Sequence, residues 1–484
     1  MSDPKNVQIP LKVMINKQKT KVLYAEADSE FADVFLSFLT LPLGTIVRVL
    51  QKHDPALMLG SITTLYKKSL QSLDFVHFQT EVCKQMLLNP RSSSEVARHK
   101  LKFNVDDTDQ PTKYFKCASR DCSFFKNPYV SMYHGISIVC DCWKSMLRKE
   151  ILLTDSIDQG ADDGASGVFT KGTVHFIISD DLQILPSGMG NVIRLISNMG
   201  ITDTDVAELM DVTFGFKEIM DLLKGALFSD TPLTDIVLNK GQVKSFAVKY
   251  EMGTLVPPIV KSATTKEMVV KAIIQKSTNK LLYVEGDDNF VEFLFSLFTI
   301  PLGGIGHLLG GSTGLKNIDN LYRSLGDING DMYLKSQATK AMLLNPKLPF
   351  GFTSNTQFLP LTEEIPPTLY FNHSTERLFP QDNPKKCRTS VVFKSPKDPG
   401  NYIKGPAMYM VTDDLVVTPL CTASGISILN HLRVPLSDVS EQELKIGLEE
   451  ALRILRASLN STHCLSDGLI NLLLEKKPKQ EQLV

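Results

Sequence analysis

Residues 21–50 read KVLYAEADSEFADVFLSFLTLPLGTIVRVL, and residues 280–309 read KLLYVEGDDNFVEFLFSLFTIPLGGIGHLL. The two stretches align without a gap at a constant offset of 259, and thirteen of their thirty positions are identical. Self-similarity of this length is typical of internal duplication. We therefore predict two tandem copies of one domain, at residues 9–240 and 268–475, joined by a linker at residues 241–266.

Each predicted copy begins with the pattern of a β-hairpin followed by a helix. Apolar residues alternate along residues 11–15, which is the period of a half-buried strand, and residues 22–25 predict the returning strand. Asp28 follows, where it can cap a helix with an apolar face. A second hairpin-then-helix pattern occurs near the end of each copy. The predicted fold class is therefore α+β, with a small, mainly antiparallel sheet of β-hairpins packed by amphipathic helices.

Proline and glycine residues and the spacing of apolar residues predict the later elements of the chain. Pro42 is expected to end the first helix, and Gly44 is expected to supply the backbone freedom for a tight turn. Apolar spacing predicts a long helix over residues 216–227 and its counterpart over residues 444–459. An acidic, glycine-rich stretch at residues 154–167 predicts a mobile loop.

Four cysteines and a histidine concentrate in an insert of the first copy, residues 114–146. The spacing is Cys117-x4-Cys122-x17-Cys140-x-Cys142, with His134 between the two pairs. Four thiolates can close a tetrahedral shell around a structural zinc ion, and such a site would stabilise a small insert that lacks a core. The spacing is irregular for a zinc knuckle, however, so ordinary reduced thiols remain an equal alternative.

Two adjacent acidic pairs recur in the two copies. Asp180-Asp181 and Asp413-Asp414 each follow a predicted strand. Paired carboxylates can bind a divalent cation or share acid–base chemistry. Neighbouring residues of a strand point to opposite faces, though, and aspartate is common in hairpin turns. We interpret both pairs as turns.

Two further patterns are interpreted as structural. Glu26 and Asp28, like their counterparts Glu285 and Asp287, precede a helix and are expected to cap it rather than to form a buried base. The glycine-rich residues 310–316 could present backbone N–H groups to a phosphate, but they lack the P-loop spacing. A flexible loop is the favoured interpretation.

Composition excludes several classes of protein. The formal net charge of −1 gives no general attraction to nucleic acid or to an acidic membrane surface. No apolar run is long enough to span a bilayer, and the first residues lack the pattern of a signal peptide. We expect a cytoplasmic protein, with the nucleus as an alternative, whose cysteines stay reduced.

The repeated stretch also carries a family resemblance. LYAEADSEFADVFLSFLTLPLGTIVRVL, MLLNP at residues 86–90 and KGTVHFIISDDLQILP at residues 171–186 resemble the plant domain-of-unknown-function family numbered six hundred and seventy-four. The resemblance covers nearly the whole chain and implies tandem copies, but no activity, substrate, cofactor or catalytic residue. The paired cysteines also look like a family feature, although the second copy retains only Cys387 there.

The types of residue that the two copies share are the basis for predicting the function. Those shared by the two copies are mainly apolar, glycine, proline and capping types, which build a fold, and no complete catalytic set recurs. We expect a non-enzymatic module or scaffold that binds a protein partner. The alternative is an enzyme or small-molecule binder with its site in the cleft between the copies. Partner, ligand and oligomeric state do not follow from the sequence.

Overall fold

The structure is a computed structural model. It describes residues 7–106, 112–117, 129–132, 140, 149–154, 167–201, 207–239, 266–380, 388–395, 397 and 400–475. We call the described residues up to 239 the first segment, and those from 266 the second segment. Most of the predicted linker and of the predicted mobile loop lies outside the described residues.

Strands and helices are interspersed along the described part of the chain, and each kind is numbered in chain order. The strands are β1 (Ile9–Asn16), β2 (Val22–Ala27), β3 (Tyr114–Lys116), β4 (Tyr129–Ser131), β5 (Lys149–Ile151), β6 (Phe176–Ser179), β7 (Ile184–Pro186), β8 (Ala207–Phe214), β9 (Met268–Gln275), β10 (Lys280–Asp287), β11 (Tyr370–Asn372), β12 (Arg377–Phe379), β13 (Arg388–Ser390), β14 (Val392–Phe393), β15 (Met408–Thr412), β16 (Val417–Pro419) and β17 (Val439–Ile446). The α-helices are α1 (Ser29–Ser37), α2 (Leu43–His53), α3 (Gly60–Thr64), α4 (Glu81–Leu88), α5 (Glu95–Arg98), α6 (Met189–Asn198), α7 (Phe216–Phe228), α8 (Pro232–Val237), α9 (Asp288–Ser296), α10 (Leu302–Leu308), α11 (Lys316–Asp327), α12 (Gly330–Tyr333), α13 (Gln337–Leu344), α14 (Thr422–His431), α15 (Leu448–Asn460) and α16 (Cys464–Glu475). A π-helical stretch (Leu65–Leu70) continues α3, and 3₁₀ turns lie at Phe38–Thr40, Phe75–His77, Leu297–Thr299 and Leu436–Asp438.

Two five-stranded antiparallel sheets form the framework, and they have the same strand order. The first sheet has the order β7-β6-β2-β1-β8, and the second has the order β16-β15-β10-β9-β17. Each sheet therefore joins two hairpins, one from the start and one from near the end of its segment. The helices that pack on these sheets complete an α+β fold, as the sequence predicts.

The hairpin-to-helix unit forms as its sequence pattern predicts. In β1 the side chains of Leu11 and Val13 are buried and Lys12 is exposed, because successive residues of a strand point to opposite faces. Asp28 then caps α1, where the Phe31 N–H donates to Asp28 Oδ1 at 2.9 Å. The equivalent Asp287 caps α9 in the same way.

The structure corrects the predicted start of the second of the two late helices. Residues 444–446, expected to be helical, belong to β17, and α15 begins only at Leu448. Leu444 and Ile446 are buried on either side of the exposed Lys445, which is the period of a strand. Gly447 ends this alternation and caps α15, and its N–H donates to Glu450 Oε2 at 2.9 Å.

The two Leu-Pro-Leu-Gly stretches meet each other. The Leu43 N–H donates to the Ile300 carbonyl at 2.9 Å, and the Leu302 N–H donates to the Leu41 carbonyl at 3.0 Å. Gly44 lies inside α2 without a positive φ, so the expected conformational role is wrong. A Cβ on Gly44 would instead lie 3.0 Å from Pro90 Cγ and 3.1 Å from Phe298 Cβ. Close packing is therefore what requires a glycine here.

The helical layers of the two segments are exchanged. Ser69, in the π-helical stretch of the first segment, donates from Oγ to the Leu415 carbonyl at 3.0 Å and accepts from the Val417 N–H at 2.8 Å in the second sheet. Ser324 in α11 of the second segment accepts from the Ile184 N–H at 3.0 Å in the first sheet. One buried apolar core consequently includes residues of both segments.

The opposite face of each large sheet is covered by one helix. Helix α6 packs on the first sheet through a separate apolar cluster that includes Tyr24, Ile177 and Leu195. Helix α14 packs on the second sheet in the same position, with Leu429 against Tyr283 and its neighbours. We call α6 and α14 the outer helices.

The described part of the predicted insert is not isolated. Strands β3, β4 and β5 form a small sheet with β14 of the second segment, and β11, β12 and β13 form another. Tyr114 and Val130 of the insert are buried with Phe371 and Leu378. The assumption that the insert lacks a core is therefore wrong, because the second segment supplies one.

Candidate functional site

Both acidic pairs lie in hairpin turns, as predicted. Asp180 and Asp181 connect β6 to β7, and the turn closes with Leu182, whose N–H donates to the Ser179 carbonyl at 2.9 Å. Leu182 has a φ of 63°, and the equivalent Leu415 has a φ of 66°. A left-handed conformation is unfavourable for leucine, but both side chains are fully buried, and this packing stabilises the turn.

The first aspartate of each pair also binds the start of a distant helix. Asp180 accepts the Thr234 N–H at 2.9 Å and the Thr234 hydroxyl at 2.7 Å. Burial raises the pKa of Asp180 to about 6, against the effect of these two hydrogen bonds. Asp413 makes the same pair of contacts with Ser466, at 2.8 Å each. These carboxylates join a hairpin to a helix.

The second segment adds a histidine to this arrangement. His463 Nδ1 lies 3.2 Å from Asp413 Oδ2, and the equivalent position of the first segment is Thr231. A carboxylate in its ionised form can only accept hydrogen bonds, and the tautomer that suits this contact has its proton on Nδ1. The Nε2 atom of this exposed imidazole then faces away from Asp413 and is available to another group.

A pocket of about 600 Å³ opens beside this histidine. It lies within the second segment, between the start of β10, the β15–β16 turn, the C-terminal half of α14 and the residues before α16. Its apolar wall is Leu281, Leu282, Ile428 and Leu432. Its polar lining is Lys280, Thr412, Asp413, Asp414, Ser427, His431, Thr462 and His463.

This pocket differs from the site considered from the sequence. The alternative function placed a ligand in the cleft between the two predicted copies, whereas residues of the second segment alone line the described pocket. Neither His431 nor His463 belongs to a recognisable motif, and 50 residues separate His463 from Asp413. The one signal in the sequence is a difference between the segments, since Asn198 and Thr231 stand at the equivalent positions.

Two buried carboxylates that the sequence analysis did not single out hold long connections in place. Asp33 in α1 accepts the N–H groups of Val168, Phe169 and Thr170. Its equivalent Glu292 in α9 accepts those of Tyr402 and Ile403. Burial raises the pKa of the Asp33 and Glu292 carboxyl groups, and these hydrogen bonds oppose the rise. Both groups serve the fold.

The glycine-rich residues 310–316 use their backbone donors internally. Asp319 accepts the N–H groups of Thr313 at 2.8 Å and Gly314 at 3.2 Å. The N–H groups of Gly310 and Gly311 donate to carbonyls at the end of α10. Donors that are already bonded cannot hold a phosphate, which supports the structural interpretation of this loop.

The predicted zinc ligands fall partly outside the described residues. Cys117 and Cys140 are both buried, whereas Cys122, Cys142 and His134 are among the residues that the structure does not describe. Within the described ranges no group of three or more His, Cys, Asp or Glu side chains has a geometry for a metal ion. The four-cysteine zinc site stays a prediction.

The framework and the comparisons together define the class of this protein. It is an α+β protein built on two antiparallel five-stranded sheets, and none of its described helices is both long and apolar enough to cross a bilayer. The model of the family DUF674, described as "Protein of unknown function", matches residues 5–449. The chain belongs to this family. No curated protein and no solved structure matches the chain.

Proposed function

We propose that this protein is a non-enzymatic module that binds a protein partner through its outer helices. The observation that carries the proposal is an exposed isoleucine at the same position of both helices. Ile193 in α6 is 58% exposed, and its equivalent Ile426 in α14 is 55% exposed. Single exposed apolar residues are common, but here two segments present the same one on the same element.

Other exposed apolar side chains near Ile193 and Ile426 enlarge the apolar surface at each outer helix. Met189 lies one turn before Ile193 on α6 and is 73% exposed. After α14, Leu432 is 40% exposed and Leu436 is 75% exposed. Apolar side chains one turn apart on a helix form the type of surface that a groove or helix of a partner protein covers.

The use of the acidic residues also supports a non-enzymatic role. Asp28 and Asp287 cap helices, Asp180 joins a hairpin to a helix, and Asp33 and Glu292 hold connections. Each of these carboxylates therefore has a structural task. The net charge of −1 makes a protein partner a better candidate than nucleic acid.

To test this proposal, the unchanged protein and its variants are tagged and used to capture binding partners from native tissue. The double variant Ile193→Glu/Ile426→Glu should lose proteins that the unchanged chain retains, because an interface that buries two unpaired carboxylates is strongly disfavoured. Quantitative mass spectrometry of the captured proteins measures the loss. Both substitutions are at exposed positions, so thermal melting should stay unchanged.

The matched control is Ile365→Glu, which places the same charge on an isoleucine that is 86% exposed and lies outside the outer helices. This control should retain the partner. Equal capture by all three proteins, with unchanged melting, would show that the outer helices do not form the interface.

A further inference from the structure

The acidic groups that line the pocket of the second segment already have partners within the protein. Asp413 accepts from Ser466 and lies 3.2 Å from His463 Nδ1. Asp414 accepts the Thr412 hydroxyl at 2.6 Å and lies 3.7 Å from the Lys68 ammonium group of the first segment. Both carboxylates are therefore already engaged by groups of the protein.

The remaining polar groups are mainly hydrogen-bond donors. Lys280 has no ion pair within the described part of the chain, and its ammonium group can only donate. The hydroxyl groups of Ser427 and Thr462 and the ring of His431 line the same space. Together with the imidazole of His463, they surround a volume in which Lys280 is the one charged group without a partner in the described part of the chain.

The other wall of the pocket is apolar. Leu281 and Leu282 of β10 lie at the base of the pocket and are 2% and 4% exposed. Ile428 and the partly exposed Leu432 complete this wall from α14 and its C-terminal end. An apolar wall opposite a few convergent polar groups is the usual composition of a small-molecule site, and about 600 Å³ is within the size range of such sites.

We infer that this pocket binds a small organic anion, a carboxylate or phosphate ester attached to an apolar body. The ammonium group of Lys280 and the donors of His431, Ser427 and Thr462 hold the acidic group. The leucine and isoleucine side chains cover the apolar body. Charge-assisted hydrogen bonds select the acid, since these donors have no acceptor in the described protein that competes for them.

The first segment indicates which residues are specific to this site. Its backbone framework is equivalent, and Lys21 stands where Lys280 does. The histidines, however, are replaced by Asn198 and Thr231, and Ser427 is replaced by Arg194. The anion site is therefore assigned to the second segment alone. The pocket borders the proposed partner surface: Leu432 belongs to both, whereas Ile426 does not line the pocket.

Binding can be measured with a fluorescent probe of the inferred chemistry. Anilinonaphthalene sulfonate is an anion with an apolar body, and N-phenylnaphthylamine is its neutral analogue. We expect one saturable site per chain for the anion, from which phenyl phosphate or benzoate displaces the probe and benzyl alcohol does not. Whichever acid displaces it at the lower concentration identifies the preferred acidic group.

The variant Lys280→Met tests the contribution of the lysine charge to binding separately from that of the apolar contacts. The variant should bind the anionic probe between about 5-fold and 30-fold more weakly, which is typical for the loss of one charge-assisted contact. Binding of the neutral probe should change little. The matched control Lys21→Met, at the equivalent lysine of the first segment, should bind both probes as the unchanged protein does.

Three results would overturn the inference. The first is the absence of saturable binding of the anion. The second is equal weakening by Lys280→Met and Lys21→Met, which would indicate a general charge effect. The third is displacement by benzyl alcohol as readily as by benzoate, which would indicate an apolar surface without a site for the acid.

Discussion

Gly303 offers a sharp test of how closely the elements of the core pack. It lies in α10, in the Leu-Pro-Leu-Gly unit of the second segment. A Cβ at this position would lie 2.3 Å from the Leu343 carbonyl oxygen, 3.1 Å from the Leu39 carbonyl oxygen and 3.2 Å from Pro346 Cδ. These neighbours are backbone and ring atoms, which cannot move aside by a change of rotamer. Gly303→Ala must therefore displace α13 or the turn of the first segment.

The expected cost follows from two opposing terms. Alanine in place of glycine inside a helix stabilises by up to about 1 kcal/mol, while overpacking of a tight core costs about 1–3 kcal/mol. A contact of 2.3 Å places Gly303→Ala at the upper end of the overpacking range. We expect a net loss of about 1–3 kcal/mol in the free energy of unfolding, measured by urea titration with two spectroscopic probes.

Gly304→Ala is the matched control, since it makes the same change one residue later in the same helix. Its Cβ would meet Ile300 Cγ2 at 3.4 Å and Pro301 Cδ at 3.6 Å, which are ordinary contacts. This variant should be as stable as the unchanged protein or more stable by up to about 1 kcal/mol. If Gly303→Ala proved as stable as Gly304→Ala, the argument from close packing around Gly303 would be refuted.

Two further predictions concern the pKa of Asp180 and the predicted zinc site. Burial raises the pKa of Asp180 from 3.8 to about 6, so the unfolded chain ionises first and stability is lost as the pH rises through that window. Between about pH 4 and pH 7 the free energy of unfolding of the unchanged protein should fall by about 2–3 kcal/mol relative to that of Asp180→Asn. Urea unfolding of both proteins measures this difference. A difference that does not vary with pH would contradict the prediction. If Cys117, Cys122, Cys140 and Cys142 bind structural zinc, metal analysis should find about one zinc per chain, absent from the quadruple Cys→Ser variant. Identical melting of the unchanged protein with and without a chelator would argue for ordinary thiols.

Local features of the fold could be predicted well from the sequence. The hairpin before α1, the caps at Asp28 and Asp287 and the turn at Asp180 depend on residues a few positions apart. Their hydrogen bonds form within the same short stretch, so the pattern of residues contains the information. The strand β17 was the exception, because Leu444 fits the spacing of the following helix as well as that of a strand.

The candidate site depended on contacts that no local pattern contains. His463 meets Asp413 only because α16 docks on the β15–β16 turn, and Lys68 approaches Asp414 only because the helical layers are exchanged between the segments. The pocket therefore could not be predicted from motifs. Its histidines differ from the first segment, but that difference gains meaning only when the pocket geometry is known.

The sequence by itself determined the repeated unit, its hairpins, its helix caps and its helix ends, because these depend on side chains acting on their own neighbouring backbone. The tertiary structure alone decided which segment covers which sheet, since Ser69 and Ser324 each bond to the opposite segment. It also decided why Gly44 must be a glycine and what Asp33 and Glu292 hold. These are packing relations between residues tens to hundreds of positions apart. Their energy comes from burial and close contact, which exist only once the whole core has formed.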